Sequence, residues 1–126
     1  MDTGKSALGM DGNLAAALGY PIGIIAIISL VMEKENRFVK FHAWQAVLYY
    51  VAAIIVFIVL MIVLTILTVL LAMARLGELS ALLWLLYMIV FLAFFAGLIF
   101  AAFKSYGGAE FKLPIIGNMA EKFANK

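Results

Sequence analysis

The sequence predicts an all-α integral membrane protein, with three transmembrane helices and a short C-terminal interfacial helix in one 126-residue domain. Three observations carry that prediction. Hydrophobic residues make up 67% of the chain and charged residues 13%, where a soluble domain has about half and about a quarter. The mean hydropathy is +1.16. Between Phe41 and Phe103 the only charged residues are Arg75 and Glu78. A soluble chain this small cannot cover so much apolar surface, and a disordered chain is poor in apolar residues.

The elements follow from where the charges fall. Residues 1–13 form a tail. Residues 14–32 are the first apolar stretch, long enough to span about 30 Å of hydrocarbon as a helix. Backbone polar groups in lipid must pair within their own segment, which selects helices, and the runs do not alternate as barrel strands do. A cleavable signal peptide would have a shorter apolar region of about 7–15 residues and a small-x-small site; here Glu33-Lys34-Glu35-Asn36 follows, so a retained helix is expected. Pro21 should bend it near its outer end. Residues 33–40 form a loop. The second helix, 41–73, exceeds one perpendicular crossing and contains no Gly or Pro. It either tilts or begins in the headgroups, where Phe41, Trp44, Tyr49 and Tyr50 belong. Residues 74–79 form a second loop, and 80–104 the third helix. In the 105–126 tail Gly107-Gly108 ends that helix, and Pro114 suits the first turn of a short helix with Ile115, Met119 and Phe123 on one face. A frayed tail, which Gly117 favours, is the competing reading.

Orientation follows from Lys and Arg beside the spans. With three spans, Lys5 and Arg75 share one side, and Lys34, Arg37, Lys40, Lys104, Lys112, Lys122 and Lys126 share the other. The second group marks the cytoplasm, so the N-terminus is expected outside and the C-terminus inside a prokaryotic cell membrane. Two ladders of small residues mark close helix contacts: Ala15, Gly19 and Gly23 on the first helix, and Ala93, Gly97 and Ala101 on the third. Small residues are also simply common in membrane helices. The third-helix ladder should meet the second helix near Ala46, Tyr49 and Ala53.

The segment from Glu33 to Tyr49 is the candidate functional motif. Phe38, His42, Gln45 and Tyr49 share a helix face, which makes a polar pocket at the cytoplasmic mouth of the bundle. The competing reading is an anchor, with Arg37 and Lys40 on lipid phosphates and Trp44 in the aromatic belt. Glu33, Lys34, Phe41, Glu110 and Pro114 complete the candidate set, because the tail should fold back onto this face. Glu110 would then meet Arg37 or Lys40, and Phe111, Leu113 and Ile115 would cover Phe38 and Phe41.

The same residues bound the chemistry. The chain has no Cys, which excludes disulfides and thiolate sites. His42 is the single histidine, too few convergent ligands for a metal. Every acidic residue lies outside the predicted spans, so no Ser-His-Asp set exists, and Gly107-Gly108 lacks the frame of a phosphate loop. No enzyme activity and no cofactor are expected. With no basic stripe, nucleic acid is not a partner. The expected partners are the lipid bilayer and either a second copy or another membrane protein.

The run from Leu30 to Ala46, with its Glu33-Lys34 and Phe38-Val39-Lys40-Phe41-His42-Ala43-Trp44-Gln45, resembles the signature of a widespread prokaryotic family of small membrane proteins of unknown function. The tail from Tyr106 to Gly117, with Gly107, Glu110 and Pro114, is similar to that family's tail. The family is in turn similar to the small four-span subunit of the chloroplast Tic import translocon, whereas three spans are read here. The resemblance implies a membrane scaffold or accessory subunit, translocon-like in kind, and no reaction. An oligomeric channel or transporter for a small solute or ion, entered past His42, Gln45 and Tyr49, is the alternative.

Overall fold

The computed structural model describes residues 3–126, so the first two residues of the predicted tail lie outside the described residues. Among these the order is α1 (Gly12–Gly19), α2 (Gly23–Met32), α3 (Arg37–Met73), a 3₁₀ turn (Gly77–Leu79), α4 (Ser80–Tyr106) and α5 (Ile116–Ala124). Two of the helices, α3 and the Gly77–Tyr106 segment, are long and apolar enough to cross a membrane.

The single helix expected over residues 14–32 is instead a hairpin of two short ones. Pro21 does not bend the helix; the helix ends there. Ile22 N still donates to Leu18 O at 3.0 Å, and then Ile22 leaves helical geometry at φ −116°, ψ 86°. The small residues allow the return. A Cβ on Gly19 would lie 3.3 Å from the Ala26 Cβ, so α1 and α2 pack almost backbone to backbone. With 10 residues, α2 reaches only about 15 Å, half a bilayer core. The small-residue ladder of the first stretch is thus divided between the hairpin and α3. Gly19 serves the hairpin itself, Gly23 faces the Tyr50 ring, and Ala15 is buried.

Because the hairpin returns, the N-terminal tail does not lie across the bundle from residues 33–40 as expected. Ala7 N donates to Glu33 Oε1 at 2.8 Å, and Asn36 Nδ2 donates to Thr3 O at 2.8 Å and Lys5 O at 3.0 Å. Asn36 also starts α3 one turn earlier than the expected residue 41. Its Oδ1 accepts from Val39 N at 3.2 Å, a side-chain cap on the first orphan donors.

The chain divides into two units, residues 1–51 with 97–126, and residues 52–96. In the second unit α3 and α4 run antiparallel. Phe57 meets Tyr87, Phe91 and Phe94 at ring-centroid distances of 5.6, 5.9 and 5.8 Å. Trp84 Nε1 donates to Thr68 Oγ1 at 3.0 Å, and that hydroxyl donates to Leu64 O at 2.7 Å. Leu64 is buried, while Ile54, Ile58, Ile62 and Ile66 face outward with most of their neighbours. An apolar surface of that extent suits hydrocarbon as solvent.

In the first unit, Gly97 of α4 sits against Tyr49, and Ala101 and Leu98 are buried. Ala93, the third member of the expected ladder, is exposed within the second unit. One α4 face therefore carries the small-residue contact for only part of its length. The tail is ordered by α5, which buries Gly117, Ala120 and Ala124 against the chain and leaves Ile115 and Met119 exposed. Small residues win that face because α5 lies close on Phe41, with Trp44 and Leu48 beside it. Gly117, expected to loosen the tail, is what permits the approach: a Cβ there would lie 2.4 Å from the Lys112 Cβ and 3.0 Å from Gln45 Oε1.

Candidate functional site

His42 and Gln45 are three residues apart on the first turns of α3, so both point to one side. Both are fully buried, as is Tyr20 at the hairpin turn. His42 Nε2 lies 2.9 Å from Ala109 O. A carbonyl only accepts, so Nε2 carries the proton, and Nδ1 accepts from Tyr20 Oη at 2.6 Å. Gln45 Nε2 donates to Tyr20 Oη at 2.7 Å and to Phe111 O at 2.8 Å, while Gln45 Oε1 accepts from Leu113 N at 2.9 Å. Tyr50 Oη in turn donates to Tyr20 O, a carbonyl that the broken helix leaves without its usual partner.

The arrangement is a clasp. Two side chains of α3 hold the backbone of residues 109, 111 and 113, every second residue of the segment that follows Gly107-Gly108. Gly108 adopts φ +85°, which turns the chain back at the end of α4. Rings close around the clasp. Phe38 and Phe41 meet the imidazole edge-on at 4.6 and 4.9 Å. Trp44 stacks on Phe123 of α5 at 4.9 Å.

An ionic rim lies outside. Arg37 pairs with Glu110, donates from Nε to Asn125 Oδ1 at 2.6 Å, and stands 3.8 Å from Glu121. Lys112 pairs with Glu121. The hydrogen bond and charge of Lys112, with the charge of Arg37, hold the Glu121 carboxyl below the usual carboxylate range. These side chains are partly exposed, so each pair contributes little. Glu33 is buried and accepts from two backbone amides, Ala7 N and Asn36 N.

The structure brings Glu33, Arg37, Phe38, Phe41, His42, Trp44, Gln45 and Glu110 into one assembly. Lys34 and Pro114 point outward, and Tyr49 belongs to the α4 contact. Phe111 packs edge-on against Phe100 at 5.0 Å, and Ile115 is 79% exposed. So α5, not residues 111–115, covers Phe41. Sequence reasoning missed Tyr20, Asn36 and Tyr50. Tyr20 carried a signal, a hydroxyl directly before a proline in an apolar run. The three backbone partners carried none.

Chemically the clasp is closed. Both nitrogens of His42 and every polar atom of the Gln45 amide are bonded to protein, so the site holds chain rather than ligand. Among the described residues no group of three His, Asp or Glu could hold a metal ion. The groove beside it, about 280 Å³ between Leu14, Leu18, Pro21, Ile99 and Phe103, is apolar and shares no residue with the clasp.

Outward-facing apolar helices, with polar groups gathered at one internally bonded cluster, define a small helical membrane protein. Residues 6–120 match the Magnetosome magnetite crystal formation protein family, and the chain belongs to that family. It is similar to a UPF0132 membrane protein of Methanocaldococcus jannaschii, at 37% identity over 96% of each chain. It is also similar to a UPF0132 membrane protein of Archaeoglobus fulgidus, at 32% identity over 90% of this chain and 95% of the relative. Both relatives are named only as membrane proteins. No solved structure matches the chain.

Proposed function

We propose that this chain is a scaffold or accessory subunit of a prokaryotic cell membrane, acting through helix surfaces rather than through a reaction. The observation that carries the reading is the closed clasp. The motif that the sequence marks as functional spends its hydrogen bonds on the chain's own C-terminal segment, which leaves the outer helix faces for partners. The translocon-like role implied by the motif's resemblance is one form of such a subunit. Magnetite crystal formation, named in the family description, would for this chain be another: organising membrane and partner proteins around a crystal.

The proposed topology is revised with the fold. The chain crosses twice, through α3 and α4, and the α1–α2 hairpin re-enters the side it came from. Of the nine Lys and Arg, eight lie in the unit of residues 1–51 and 97–126, and Arg75 alone lies in the other. That bias assigns both termini to the cytoplasm, which replaces the expected outside N-terminus. Crosslinking and affinity capture of the tagged full chain from native membranes tests the scaffold reading. A reproducible membrane-protein partner is the expected result. Recovery of self-crosslinked chain alone would instead favour the oligomeric channel, and recovery of nothing would sink the proposal.

A further inference from the structure

α5 has a second face, and nothing among the described residues covers it. Gly117, Ala120 and Ala124 are buried. At 100° per residue the opposite side carries Met119 and Lys122, with Ile115 just before the helix and Lys126 just beyond its end. Ile115 is 79% exposed and Met119 44% exposed. Neither lysine has a carboxylate partner among the described residues, since the acid on α5, Glu121, is turned to Lys112 and Arg37 on the flank. Lys126 is exposed, with its Nζ 5.3 Å over the Phe123 ring.

Ile115 leads into the helix through a turn of its own. It sits at φ +66°, ψ −53°, the central position of a γ-turn closed by the bond from Ile116 N to Pro114 O at 2.6 Å. Gly117 N to Leu113 O at 2.8 Å and Leu113 N to Gln45 Oε1 at 2.9 Å hold that turn within the protein. Glycine would satisfy the turn without strain.

We infer that this face of α5 docks on an anionic lipid surface, with Ile115 and Met119 entering the acyl boundary and Lys122 and Lys126 at the headgroup charges. The inference rests on the membrane-protein reading, but not on the scaffold role. Charge selects the partner: Lys122 and Lys126 have no carboxylate partner among the described residues, and apolar side chains beside lysines are the pattern of an interfacial helix. The flank of Glu121 is used by Arg37 and Lys112, the small-residue face is buried, and only the face of Met119 and Lys122 is left open.

The chain has no cysteine, so Met119→Cys gives a single labelling position. The full-length M119C chain, spin-labelled, is reconstituted in vesicles of phosphatidylcholine alone, or of phosphatidylcholine with phosphatidylglycerol. Accessibility is read with oxygen and with a water-soluble nickel quencher. The expected result is a label protected from nickel and open to oxygen in the anionic vesicles, and water-exposed in the neutral ones. Adding K122Q/K126Q should shift the docked-to-undocked ratio by about thirtyfold toward water, the worth of two lysines at an anionic surface. Ile115→Gly relieves the backbone and so keeps the fold, yet should weaken docking; intact Trp fluorescence and melting would show that the loss is not unfolding. Equal water exposure in both vesicle types would overturn the inference. So would protection found only in native membranes, which would mean a protein covers the face. A failed partner capture leaves this readout unaffected, so the two proposals fail separately.

Discussion

Gln45 does the work of three hydrogen-bonding groups with one amide, and its loss should show that. Gln45→Leu fills the same space but strands Phe111 O, Leu113 N and the lone pair of Tyr20 that it serves. Leaving buried polar groups unpaired costs about 1–3 kcal/mol each, so a loss of about 2–4 kcal/mol is expected after partial relaxation. Thermal unfolding in detergent measures it. Tyr20→Phe should cost less alone, and the double variant should cost less than the sum, because both substitutions break the same bond. The two glycines of the packing faces make a sharper contrast. A Cβ on Gly97 would lie 2.3 Å from Tyr49 Oη, the tip of a ring that can swing. One on Gly117 would lie 2.7 Å from the Lys112 Cα, which cannot move without the backbone. Gly97→Ala should therefore be nearly neutral, since helix propensity offsets a small displacement. Gly117→Ala should cost about 1–3 kcal/mol as overpacking. Equal melting shifts for the two would show that the α5 contact is looser than described.

At the scale of elements, the rim gives the C-terminal helix a pH response with a definite sign. The folded Glu121 carboxyl titrates below its ordinary range, so its contribution is complete above that range and is lost as pH falls through the lowered folded value. Acidification should therefore loosen α5 before the rest of the unit melts, and a nitroxide on Asn118→Cys should gain mobility there. Glu121→Gln should abolish that step while leaving neutral-pH melting little changed, because the pairs are partly exposed and screened. How much of this was legible differs by element. The limits of α3 at Met73 and of α4 at Ser80 could be read, because Arg75 and Glu78 cannot enter hydrocarbon. The hairpin could not. A hydropathy run records how many apolar residues there are, not whether the chain reverses, and Pro21 fits both a kink and a turn. What decides between them is Tyr20, bonded to side chains 22 and 25 residues away. The motif was visible as a polar face, but its partners are backbone groups 66 to 68 residues further on, where side-chain identity leaves no trace.

At the scale of the whole chain, parity is the testable matter. Two crossings return the chain to its starting side, where three would not. Single cysteines at Ala7, Glu35 and Asn118, all on exposed or edge positions of the first unit, should react alike with an impermeant maleimide. One at Glu78, beyond α3, should react oppositely. Labelling of Ala7→Cys from the face opposite Asn118→Cys would restore three spans.

The clasp also sets a schedule for biosynthesis. The hairpin leaves the ribosome well before residues 109–113, whose carbonyls and amide complete its tyrosine, histidine and glutamine cluster. Until that segment emerges, the cluster lacks those partners in apolar surroundings, a state that costs free energy and invites recognition by quality control. The unit can therefore close only after both long apolar helices have been made, and a chain cut short at Gly107 would carry those helices without the segment that completes the clasp.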